Sequence, residues 1–132
     1  MRILLIKPGE VPCPAEIAPT LEAMQSVVGG PIQAVYPFEE PVALICHEEG
    51  KLLGLPLNRA LRHPDSHEIY DVIAGTFFLC GAPPESEHFE SLTEEQMDRY
   101  AEHFASIELF VGGAARAVKA LSGRSVSRNM VC

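Results

Sequence analysis

The run Tyr70-Asp71-Val72-Ile73-Ala74-Gly75-Thr76-Phe77-Phe78-Leu79-Cys80 is the strongest structural signal in this chain. β-Branched and aromatic residues dominate it, so it reads as a strand. Gly75 inside it marks a bulge or a close approach of another backbone. Arg2 to Ile6 is a shorter apolar run closed by Lys7-Pro8-Gly9 and reads as a buried strand. Val42-Ala43-Leu44-Ile45-Cys46 is apolar throughout, which suits a central strand covered on both faces. Ile32 to Phe38 alternates and is expected to form an antiparallel hairpin with it across Glu39-Glu40-Pro41. Lys51 to Leu55 is expected to pair back as a short strand that Pro56 stops, and residues 58–68 read as polar and irregular.

Two helices frame these strands. Val11 to Pro14 reads as a loop, followed by a helix from about Ala18 to Val28 with Pro19 in its first turn. Ile17, Leu21, Met24 and Val28 share one face at helical spacing, and Gly29-Gly30 ends the helix. In Ser91-Leu92-Thr93-Glu94-Glu95-Gln96, Thr93 and Gln96 form a capping box, and Met97, Tyr100, Ala101 and Phe104 supply the apolar face. A further Ala-rich helix is expected from Ile107 to Leu121, then a basic, flexible tail. Strands without regular βα alternation give an α+β fold, with a mixed or antiparallel sheet of four to five strands and two or three helices. The division is a domain over 1–106 and a C-terminal helix and tail over 107–132.

At 132 residues and 47% hydrophobic, the chain can build a core without a metal or disulfide staple. It holds no apolar run long enough to span a membrane and no signal-peptide core, so the expected location is cytoplasmic. Cys13, Cys46, Cys80 and Cys132 are widely spaced, and Cys46 and Cys80 lie in apolar runs, as buried free thiols do. The net charge is −8, and the four cations after residue 111 leave residues 1–111 at −12. Such a body repels phosphate backbones and argues against direct nucleic-acid binding.

The densest polar cluster is His47-Glu48-Glu49-Gly50-Lys51. It offers two carboxylates, an imidazole and an ammonium for acid–base work or for holding a cation. A solvated hairpin turn, with Gly50 at positive φ and the charges facing water, is the reading that spacing alone favours. No His stands four residues after His47, so the zinc-protease pattern is absent. His63 and His67 have i,i+4 spacing but Pro64 intervenes, which favours loop histidines over a metal pair. Gly29-Gly30 sits after a helix, the wrong end for a phosphate cradle. No catalytic residue, metal site or cofactor is assigned.

Several segments occur together in order: Ile6-Lys7-Pro8-Gly9, Leu21 to Gly30, Ile45 to Leu52, Leu55-Pro56-Leu57-Asn58-Arg59, Ile73-Ala74-Gly75-Thr76 and Ser91 to Gln96. Over about residues 1–105 this set resembles a family of small uncharacterised proteins, catalogued as a domain of unknown function. Its members are common on phages, plasmids and integrative elements of Gram-positive gut bacteria. The resemblance implies no activity. It adds weight to Glu48, Glu49, Gly50, Lys51 and Asn58, with His47 where the family pattern has Asn.

Three functions compete. The first is a non-enzymatic binding or accessory module of mobile-element origin, taking a small polar ligand or a host protein. Its site gathers Gln25, His47, Glu48, Glu49, Lys51, Asn58, Arg59 and Gly75. The second uses the acids Glu85, Glu87, Glu90, Glu94, Glu95, Asp98 and Glu102 to mimic nucleic acid and block a defence protein. The third is a metal-dependent hydrolase built on residues 47–51. The reading leans away from an enzyme, expects no membrane partner and leaves room for a homodimer.

Overall fold

The computed structural model describes residues 1–111 and the backbone of 114–119, with side chains through residue 110. The order is β1 (Arg2–Ile6), β2 (Cys13–Glu16), α1 (Leu21–Val28), β3 (Ile32–Val35), β4 (Val42–His47), β5 (Leu57–Arg62), β6 (Ile69–Ala74), β7 (Phe77–Gly81), α2 (Glu94–His103), β8 (Ser106–Val111) and β9 (Ala114–Lys119). Five strands form one antiparallel sheet in the order β2-β1-β7-β4-β3, while β5-β6 and β8-β9 are separate two-stranded hairpins. The architecture is α+β.

The continuous apolar runs fall where both faces of the sheet are covered. Ile3, Ala43, Ile45, Phe78 and Cys80 point to one face, where Met24, Val27 and Val28 of α1 pack. Leu4, Ile6, Val42, Leu44, Phe77 and Leu79 point to the other. That face is covered by Met97, Tyr100, Ala101 and Phe104 of α2 and by Leu61 and Ile73 of the β5–β6 hairpin. The result is three layers, with the sheet in the middle. Cys46 and Cys80 are buried free thiols, as their apolar runs suggest.

Several expectations need correction. The run Tyr70–Cys80 is two strands in different sheets, because Gly75 at φ 82° turns the chain out of one ladder and into the other. A β-carbon at Gly75 would also lie 2.8 Å from Leu55 Cδ1. Residues 51–55 make a turn and no strand: Leu53 N donates to Glu49 O and Leu55 N to Gly50 O, closing the segment on itself. The segment read as irregular holds β5, whose Asn58 and Arg59 look like loop residues yet are fully buried. Residues 13–16 form β2 against β1, so α1 starts only at Leu21, with Thr20 Oγ1 accepting from Ala23 N at 3.2 Å and Pro19 outside the helix. Ile17 continues the strand ladder through bonds to Met1 at 2.7 and 3.0 Å.

The expected helix from Ile107 is likewise a β-hairpin, β8–β9. Alternation in Ser106–Val111 wins there over alanine content. The expected tail after residue 121 lies outside the described residues. The capping box at α2 forms as read, with Thr93 N to Gln96 Oε1 at 2.9 Å and Gln96 N to Thr93 Oγ1 at 3.1 Å.

Glu40, on the turn before β4, anchors α2. It accepts hydrogen bonds from Tyr100, from Arg99 at 2.7 and 2.9 Å and from Gln96 at 3.3 Å. The Tyr100 hydroxyl is the main reason that Glu40 titrates below its ordinary 4.5. The folded value lies below the unfolded one, so the contribution is complete above about pH 4.5 and vanishes as pH falls through the lowered folded value. Glu40→Gln is expected to flatten the acid limb of stability against pH below that point, read by urea unfolding at a series of pH values.

Candidate functional site

The turn after β4 is seated, not splayed. Glu48 N donates to Pro31 O at 2.9 Å, and Glu49 N donates to the Nδ1 of His47 at 2.9 Å. His47 is buried and pressed on the chain after α1: a β-carbon at Gly30 would stand 2.4 Å from its Nε2. Gly50 is needed for closeness, since a β-carbon there would meet Ala74 O at 2.8 Å. The positive φ of this loop belongs to Gly54, not Gly50. Glycine therefore lets the turn abut the end of β6, and that contact builds a hollow.

The hollow has a volume of about 340 Å³ and lies between the edge strand β3, the end of β4, the turn and β6. Its wall on one side is Glu48, Glu49 and Lys51; on the other it is Asp71. Gln33 and Cys46 also line it. Lys51 Nζ donates to Asp71 Oδ1 at 2.5 Å, and the same oxygen accepts the N–H of Val72 at 2.8 Å. Both partners of this ion pair are well exposed, so it contributes at most about 1 kcal/mol and can be exchanged. Burial pushes the Cys46 thiol up, with the charge of Asp71 adding to the effect and Lys51 opposing it. Cys46 is therefore a protonated, weakly nucleophilic lining group at neutral pH.

Of the residues expected to gather, His47, Glu48, Glu49 and Lys51 line this hollow, and Gln25, Asn58, Arg59 and Gly75 do not. Gln25 sits on α1, where its carbonyl takes the amides of Gly29 and Gly30 at 2.8 and 3.0 Å. Asn58 is fully buried: its Nδ2 donates to Ile6 O and Gly75 O, both at 2.9 Å, and its Oδ1 accepts from Arg59 Nη1 at 2.8 Å. Arg59 donates onward to Phe104 O at 3.1 Å and Glu10 O at 2.7 Å. This pair ties β5 to the end of β1, to the β6–β7 corner and to the residue after α2. Gly75 serves the same joint through its carbonyl.

Sequence reasoning missed Asp71, Gln33 and Cys46. The available signal was Asp71 itself, a charge inside the strongest strand run. Among the described residues no three His, Cys, Asp or Glu side chains gather so as to hold a metal ion, and no helix is long and apolar enough to cross a membrane. The acids from Glu85 to Glu102 are all exposed, but cations lie among them: Arg2 pairs with Glu94 at 3.4 Å and Arg99 with Glu95 at 3.6 Å.

A three-layer α+β domain with a mixed-charge hollow at a sheet edge defines the class. The chain belongs to the family described as a domain of unknown function, DUF3846, which matches residues 1–105. No curated protein and no solved structure matches it. The β8–β9 hairpin lies beyond the matched segment.

If Asn58 is a structural joint, Asn58→Ala strands the carbonyls of Ile6 and Gly75, and the expected loss is about 2–4 kcal/mol in urea unfolding. Glu48→Gln, on an exposed side chain, is expected to stay within about 0.5 kcal/mol of the parent.

Proposed function

We propose that this protein is a non-enzymatic binding module, and that the hollow beside the 47–51 turn takes a small polar ligand carrying an ammonium or guanidinium group. One observation carries the reading: Glu48, Glu49, Lys51 and Asp71 come from two separate elements and meet on one concavity. Three carboxylates against one ammonium leave an excess of negative charge there. Lys51 already satisfies Asp71, so Glu48 and Glu49 are the carboxylates that remain for a ligand cation. The ammonium of Lys51 stands as an internal example of the group this wall accepts. The volume falls at the lower end of the range for small-molecule sites.

An accessory role on a mobile element fits a small binding module without an assigned reaction, and a host protein could present the same cation on a loop. The mimicry reading draws on the exposed acids of α2 and the loop before it, but Arg2 and Arg99 interrupt that surface.

Thermal-shift measurements with spermidine, arginine and a set of nucleotides test the proposal. A rise in melting temperature with the cationic compounds is expected, lost in Glu48→Gln/Glu49→Gln and weakened by salt. Stabilisation by nucleotides alone, or by cations equally in the double variant, would contradict it.

A further inference from the structure

The second hollow of the molecule has the opposite charge. It measures about 390 Å³ and lies between β5, the loop after it, the end of α2 and β8. Arg59, Arg62, His63, His67 and His103 line it, with Glu108 as the single acid. Residues 1–111 carry only six Lys and Arg and five His in a body of charge −12. Two of those cations and three of those imidazoles nonetheless face one cavity. A solvated surface of this composition has no reason to concentrate them.

Two details point to an anion. Arg59 is 1% exposed, and among the described residues its hydrogen bonds go to the carbonyl oxygens of Asn58, Glu10 and Phe104, not to a carboxylate. A buried guanidinium hydrogen-bonded only to neutral acceptors has just the nearby carboxylate of Glu108 to set against its charge, and Arg62 shares that carboxylate. The second detail is Glu108. Its carboxylate reaches in from β8, accepts Ala60 N at 2.6 Å and lies 2.6 Å from Arg62 Nη2. The cavity wall thus already holds one carboxylate, through a backbone amide and an arginine. The loop is also shaped for the purpose: His67 has φ 62°, unusual for a residue with a side chain, and its N–H closes on His63 O at 2.9 Å. That bend places both imidazoles on the cavity.

We infer that this second hollow is a binding site for a small phosphate-bearing anion, with Arg62 and the imidazoles of His63, His67 and His103 as donors and Arg59 as the buried charge beneath. Arginine N–H groups give the charge-assisted bonds that a phosphate accepts, and an imidazole N–H donates to it as well. The net charge of −12 over residues 1–111 repels polyanions, so a single phosphate group fits better than a nucleic-acid backbone. The volume exceeds that of a bare phosphate and leaves room for a small ester. This site is independent of the hollow at the 47–51 turn.

Calorimetric titration of the full chain with inorganic phosphate and with adenosine monophosphate tests it, the first standing for the free anion and the second for an ester. Binding of at least one is expected. Arg62→Ala should weaken it at least about tenfold, the loss of one charge-assisted bond. The loop variant His63→Ala/His67→Ala, whose side chains are exposed, should weaken it in the same direction and covers the case in which Arg62→Ala does not fold. Glu22→Gln, on the exposed face of α1, should leave it unchanged. Tighter binding of the nucleotide identifies an ester site, and equal binding a site for the free anion. No heat from either compound at millimolar concentration, or binding that both cavity variants leave intact, overturns the inference.

Discussion

The buried Asn58–Arg59 pair is the joint on which the rest of the molecule depends. Two strongly polar side chains lie in the interior because backbone carbonyls there accept their hydrogen bonds: Ile6 at the end of β1, Gly75 at the β6–β7 corner, Phe104 after α2 and Glu10 in the loop after β1. None of these groups is in a ladder with another. A hydrophobic contact would hold the β5–β6 hairpin over the sheet without fixing its register. Hydrogen bonds to four separate segments fix it in place, and a buried polar network of this kind is costly to leave half made.

Both hollows follow from that placement. The β6 side of the hairpin stands off the β3–β4 edge and, with the seated turn, encloses the acidic cavity. The β5 side meets the end of α2 and β8 around the cationic one. The fold therefore carries two cavities of opposite charge on the two sides of one hairpin. Their chemistry differs because the strands contribute different residues: Asp71 from β6, and Arg59 and Arg62 from β5.

Much of the fold was legible in the sequence where burial alone decides structure. The apolar runs of β1 and β4 and the capping box of Thr93 and Gln96 come out as read, because hydrophobic periodicity and a local cap need no distant partner. What could not be read depends on distant partners. Asn58 and Arg59 look like loop residues until Ile6, Gly75 and Phe104 supply acceptors from up to 52 positions away. Gly75 announced a local irregularity, but not that it would send the chain from one sheet to another. The alanines after Ile107 suggested a helix, where pairing of β8 with β9 gives a hairpin. The site was half legible for the same reason. Residues 47–51 lie together in sequence, whereas Asp71 joins them only through the folded hairpin.

Hydrogen exchange on the parent and on Asn58→Ala reads the joint most directly. If the pair fixes the hairpin, the amides of β5, β6 and the 47–51 turn should lose protection together in the variant, while β1, β4 and β7 keep theirs. A uniform loss across all strands, or an unchanged hairpin, would contradict the account.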